Sequence, residues 1–145
     1  MIKRGGYGKK LFYRLGFWPT LLPKNSNKKR IWIQAVSVGE LSSINTLLQA
    51  FIADPKIEIV LSGTTSTGQK IAEQKHAKDI LALGPFPLDW FPFSSLAWSR
   101  IQPDLAICVD SELWPEPMYQ AKNRRGPFFI VNARLSDRSV SRLSC

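Results

Sequence analysis

The sequence predicts an α/β protein built on a Rossmann-like, doubly wound parallel sheet. Short, β-prone apolar runs begin at Ile31, Ile57, Ile80, Leu105 and Phe128, each 23 to 26 residues after the last. Helix-patterned stretches fill the gaps, and strand–helix–strand at that interval is the signature of βαβ units. The right-handed crossover rule then places helices on both faces of a parallel sheet. A length of 145 residues suits one such domain.

The strand segments are Ile31–Val36, Ile57–Leu61, Ile80–Leu83, Leu105–Val109 and Phe128–Val131. Each is nearly continuous in apolar residues, which implies burial on both faces. Between the first two, Leu41, Ile44, Leu47, Leu48 and Phe51 form one apolar helical stripe that ends at Asp54-Pro55. A second helix is expected from Thr67 to about Ala77 and a third around Ser94–Ile101. A fourth starts at Pro115 and closes at Arg124-Arg125-Gly126, with Gly126 as its cap. The lone histidine, His76, falls in a polar helical stretch and is expected at the surface. Cys108 and Cys145 fit neither a disulfide framework nor a zinc site.

Residues 1–30 stand apart from the domain over 31–145. The net charge is +9, and all of the excess lies in residues 1–39, which hold nine Lys or Arg and no acid. Tyr7, Phe12, Tyr13, Phe17 and Trp18 are interleaved with these cations. Such an arm fits an anionic membrane surface, a nucleic acid, or a solvated segment packed on the domain. No apolar run approaches the roughly 20 residues that span a bilayer, and no secretory signal is evident. The protein is therefore expected to lie on a membrane at most.

The chemistry-bearing residues follow the strands, and in open α/β sheets ligands bind at the strands' carboxyl ends. Ser37-Val-Gly-Glu40 opens the first helix; Gly39 permits a tight turn, and Ser-x-x-Glu has capping-box spacing. Glu40 is either that cap or a general base kept ionised by the helix dipole. Ser62-Gly-Thr-Thr-Ser-Thr-Gly68 is either an ordinary strand–helix turn or a cradle for phosphate or sugar hydroxyls, with no Walker lysine. Asp110-Ser-Glu-Leu-Trp-Pro-Glu116 carries three carboxylates, readable as a divalent-metal site or as acids before a helix start. Arg134, in Asn132-Ala-Arg-Leu-Ser-Asp-Arg138, could clamp a phosphate or carboxylate.

Taken in order, Gly6-Tyr7, Ser37-Val-Gly-Glu40, Thr64-Thr-Ser-Thr-Gly68, Pro87-Leu-Asp89, Asp110-Ser-Glu-Leu-Trp-Pro115 and Asn132-Ala-Arg-Leu-Ser136 resemble the N-terminal domain of 3-deoxy-D-manno-octulosonic acid (Kdo) transferases. The resemblance runs from about Gly5 onward. It implies half of a two-domain GT-B glycosyltransferase that moves Kdo from the donor substrate CMP-Kdo to a lipid A precursor. The place implied is the cytoplasmic face of the bacterial inner membrane, as a peripheral protein, with no cofactor, no catalytic metal and no nucleic-acid partner. It implies Glu40 as proton acceptor and Asp110 as transition-state stabiliser, with Ser37, Gly39, Thr64, Thr65, Glu112 and Arg134 holding substrate. Gln34 stands where the family often has His, Asp110 where Glu is usual and Glu116 where Asn is usual. The nucleotide-binding half is expected to be missing after Cys145. That leaves two readings: an enzyme half inactive until complemented, or a non-catalytic module or remnant that binds anionic lipid.

Overall fold

The computed structural model describes residues 11–133 apart from 22, 25, 36, 64 and 110–113. Its elements in chain order are α1 (Leu11–Arg14), β1 (Lys29–Gln34), α2 (Val38–Ser43), α3 (Asn45–Ala53) and β2 (Ile57–Gly63). Then follow α4 (Ser66–His76), β3 (Ala82–Pro85), α5 (Phe91–Ile101), β4 (Leu105–Val109), α6 (Pro115–Asn123) and β5 (Phe128–Val131). The strands form one sheet in the order β3-β2-β1-β4-β5. Every pairing is parallel, with Ile33 level with Leu61 on one side and Ile107 on the other. The chain winds outward from β1 to β3, returns to lay β4 on β1's other side, and so creates a switch point between β1 and β4.

The pleat sends alternate residues to opposite faces. Ile31, Ile33, Ile59, Leu61, Ile107 and Val109 pack with Leu41, Ile44, Leu48 and Ala72 from α2, α3 and α4. Trp32, Val60 and Ala106 face the other way, against Trp98 and Ile101 of α5, Ala121 of α6, Phe86 and Trp18. Trp18 is fully buried, so the described part of the basic arm packs on the sheet. Its ring lies 6.2 Å from Trp32, which in turn lies 5.4 Å from Trp98. Three of the arm's cations have internal partners. Lys24 pairs with Asp104 at 2.6 Å and Lys29 with the same carboxylate at 4.0 Å. Arg30, 1% exposed, donates to Glu58 and to the Ile101 carbonyl. A cation that deep persists because its donors are matched by a carboxylate and a carbonyl.

The structure corrects several sequence-based expectations. The single stripe over Leu41–Phe51 is two helices, broken at Ile44, whose φ of −101° and ψ of 8° leave the helical region. The α5 helix starts at Phe91, three residues before the expected Ser94, because Pro92 is tolerated in a first turn. At the end of α6, Arg125 rather than Gly126 takes the left-handed conformation, with φ 54°. Its N–H donates to the Lys122 carbonyl and that of Gly126 to the Ala121 carbonyl, a Schellman closure. His76 is buried, 5% exposed, not at the surface. Gln69, Ala72 and His76 recur at helical spacing and form the inward face of α4. Finally β5 ends the sheet among the described residues, and Phe129 and Ile130 are exposed despite the expectation of burial on both faces.

Candidate functional site

The site is built where β1 and β2 end and α2 and α4 begin. Ser37 is the N-cap of α2 in extended conformation, and its Oγ accepts the Glu40 N–H at 3.3 Å. The same hydroxyl lies 3.2 Å from Glu40 Oε1, to which it can donate. Glu40 is therefore at once the third residue of the helix and the acceptor of its cap's proton. The α2 dipole favours the ionised carboxylate there. Half of the capping box is present, and it holds the carboxylate in the first turn, partly exposed. A cap bonded in this way keeps an anionic side chain in place, so capping and proton abstraction are compatible.

Gly39 does not make a tight turn. It sits inside the first turn of α2 without positive φ, and among the described residues a Cβ there would meet nothing nearer than Ser37 Oγ at 3.8 Å. Among the described residues, glycine leaves space over the helix start, where a ligand could approach backbone N–H groups.

Thr65 caps α4, its Oγ1 accepting the Gly68 N–H at 3.2 Å. The two turns touch: a Cβ on Gly68 would come within 2.8 Å of Thr65 Oγ1 and 3.6 Å of the Val38 nitrogen. The Ser37–Glu40 and Thr65–Gly68 turns thus share the carboxyl edge of the sheet side by side. Ser62 does not join them. Its buried hydroxyl accepts the Trp32 indole N–H at 2.9 Å, and Gln69 Nε2 donates to the Gly63 carbonyl at 2.8 Å. Thr64, Asp110, Glu112 and Arg134 lie outside the described residues. Their described neighbours are Gly63 at the end of β2, Val109 at the end of β4, Trp114 before α6, and Ala133 after β5.

Three residues belong beside this edge that sequence reasoning assigned no role. Asn132 leaves β5 in the left-handed conformation, with φ 56°, and Nδ2 donates to Ser43 Oγ at 3.3 Å. Ser43 Oγ in turn donates to the Glu40 carbonyl at 2.7 Å, so Asn132 braces the helix that carries Glu40. Asp89 accepts the Glu116 N–H at 2.9 Å. It thereby caps α6, whose own N-cap, Trp114, makes no side-chain cap bond. Gln34, at the end of β1, is buried, and its Nε2 has no hydrogen-bond partner among the described residues. A buried donor of this kind at the β1/β4 switch point calls for a partner.

An open parallel α/β sheet with two capped helix starts on its carboxyl edge defines the class: a Rossmann-like, doubly wound fold. Comparison with known proteins narrows it. The family model of the 3-deoxy-D-manno-octulosonic-acid transferases (kdotransferases) matches residues 9–145, and the chain belongs to that family. A 3-deoxy-D-manno-octulosonic acid transferase of Haemophilus influenzae is 33% identical over 97% of this chain and 33% of its own length. One from Rickettsia bellii is 32% identical over 80% of this chain and 28% of its own length. A bifunctional glycosyltransferase/methyltransferase of Fusobacterium nucleatum is 30% identical over 80% of this chain and 18% of its own length. The chain thus spans a third or less of these relatives.

Proposed function

We propose that this chain is the acceptor-binding part of a GT-B enzyme that transfers Kdo from CMP-Kdo to a lipid A precursor. The observation that carries the reading is Glu40, held by Ser37 at the start of α2 beside the Thr65-capped α4, in a chain of the Kdo transferase family. In the proposed reaction the acceptor hydroxyl oxygen bonds to the anomeric carbon of Kdo. Its proton passes to Glu40, and CMP leaves with the electron pair of the broken bond. A positioned base of this kind contributes about 10²–10⁴-fold. Asp110 would stabilise the transition state, while Ser37, Gly39, Thr64, Thr65, Glu112 and Arg134 would hold the acceptor. The place is the cytoplasmic face of the inner membrane, in lipopolysaccharide synthesis. Among the described residues no helix is long and apolar enough to cross a membrane.

The chain spans a third or less of these relatives' length; in the proposed reading a C-terminal half supplies the donor site. The excess of Lys and Arg in residues 1–39 also fits a second reading, a module that binds anionic lipid without catalysis. CMP-Kdo turnover separates the two, measured on the chain alone and after a family C-terminal half is supplied. Turnover only when both parts are present is expected; no turnover in either case favours the binding module.

A further inference from the structure

The helices α2 and α4 touch at their starts and then part. A Cβ on Gly68 would come within 3.6 Å of the Val38 nitrogen. Further along, the chain breaks at Ile44, whose φ of −101° and ψ of 8° end α2 and redirect it into α3. A groove of about 250 Å³ opens there. Leu41, Ser42 and Asn45 line one wall, and Lys75 and His76 line the other. The groove is separate from the candidate site. Val38 and Ser42, one helical turn apart, both face it. Glu40, midway between them in sequence, falls on the other side of α2, where its carboxylate meets Ser37 Oγ.

His76 forms the floor of this groove. It is 5% exposed, and no described residue hydrogen-bonds its imidazole. A buried donor without a partner is costly and calls for one from outside the chain. Lys75 beside it is exposed and has no carboxylate partner among the described residues. Ser42 and Asn45 add a hydroxyl and a carboxamide from the opposite wall. Among the described residues no acid lines the groove. Nor does α4 turn a bare negative end toward it. The His76 carbonyl accepts the N–H groups of Asp79 and Ile80 at 2.9 and 3.2 Å.

An ammonium, an imidazole, a carboxamide and a hydroxyl around one acid-free groove suit an anion rich in acceptor oxygens. A phosphate monoester offers three such oxygens where a carboxylate offers two, and lysine meets phosphate as a point charge. The volume is far above the roughly 10–15 Å³ that one water needs, so a sugar ring fits beside the phosphate. We propose that the groove between α2 and α4 is a binding site for a small phosphate monoester of the sugar-phosphate class, distinct from the edge that carries Glu40. The His76 N–H donates to a phosphate oxygen from the floor, and Lys75 supplies the countercharge at the rim. Ser42 and Asn45 hold the remaining oxygens and the sugar hydroxyls. The site stands whether or not the chain takes part in Kdo transfer.

His76 is the only histidine in the chain, so the imidazole signals of its NMR spectrum report on this groove directly. The full chain is titrated at fixed pH and ionic strength with glucose 6-phosphate, inorganic phosphate and glucose. The expected result is a saturable shift with glucose 6-phosphate, a weaker one with phosphate and none with glucose. Calorimetry then reads the variants. Lys75→Ala weakens glucose 6-phosphate binding by about tenfold, the size of one charge-assisted bond. His76→Leu abolishes binding yet keeps or raises the melting temperature, because leucine needs no hydrogen-bond partner there. His76→Gln, which retains an N–H donor, restores part of the binding, and Glu40→Gln leaves it unchanged. Three results would overturn the site: no saturable shift with either phosphate, full affinity in Lys75→Ala, or a lower melting temperature with full affinity in His76→Leu. Loss of binding in Glu40→Gln would overturn its separateness and move the ligand to the carboxyl edge.

Discussion

Ser37 performs two tasks with one hydroxyl: it accepts the Glu40 N–H and lies within donating distance of the Glu40 carboxylate. The pairing explains why the Ser-x-x-Glu spacing reads equally well as cap and as chemistry. Asp104 shows the opposite case, an acid committed to structure. Burial raises its pKa, but the Lys24 hydrogen bond, the Arg30 N–H and the charges of Lys24 and Lys29 outweigh burial and hold it below the ordinary 3.8. A carboxylate with a depressed folded pKa contributes stability that is fully present above its unfolded pKa. That contribution is lost as pH falls through the folded value. Stability should therefore decline as pH drops below 3.8, and Asp104→Asn should flatten that part of the profile. Denaturant melts of both proteins across pH 2–6 would show it; identical slopes would mean that the Asp104 pairs contribute nothing.

At the scale of elements, packing at glycine decides how the arm is held. A Cβ on Gly84 of β3 would collide with the Tyr13 ring and press on Trp18. Neither ring can give way cheaply, since Trp18 is fully buried and its ring packs at a tilt 5.1 Å from that of Tyr13. Gly84→Ala should cost about 1–3 kcal/mol, the usual range for overpacking, and should loosen residues 11–21 from the sheet. Limited proteolysis should then cut in that segment much faster than in the wild type; equal rates would show that the arm is not held by this contact. The strands were legible in the sequence because parallel strands are nearly continuous apolar runs, although β3 lies at Ala82–Pro85, two residues beyond the expected Ile80–Leu83. The first turn of α2 was legible because its cap is local; at α4 the turn was legible but its cap, Thr65, was not assigned. The break at Ile44 was not, because the apolar stripe continues across it into α3. Nor was the inward face of α4, because Gln69 and His76 are polar residues on a buried stripe. Asp89 capping α6 from 27 residues away and Asn132 bracing Ser43 from 89 away leave no mark in local spacing. The sequence supplied those residues as members of motifs without a task, and the sheet supplied the task.

For the whole molecule, the carboxyl edge gathers what the proposed reaction needs from this chain. Among the described residues it presents a fixed carboxylate and two capped helix starts. In the proposed reading the acceptor meets that edge, and the remaining length of the relatives supplies the donor site. The account stands or falls on whether Glu40 takes a proton or only caps a helix. Glutamine is accepted in a capping box, keeps the size of glutamate and can still accept through its carbonyl, yet it cannot serve as base. The decisive measurement is CMP-Kdo turnover with a lipid A precursor, made on the wild type and Glu40→Gln, each completed by the same C-terminal half. Melting temperatures are taken on the same preparations. The account predicts equal melting temperatures and turnover lower by about 10²–10⁴-fold in Glu40→Gln. Near-normal turnover in a well-folded Glu40→Gln protein would contradict it and leave Glu40 as a cap alone.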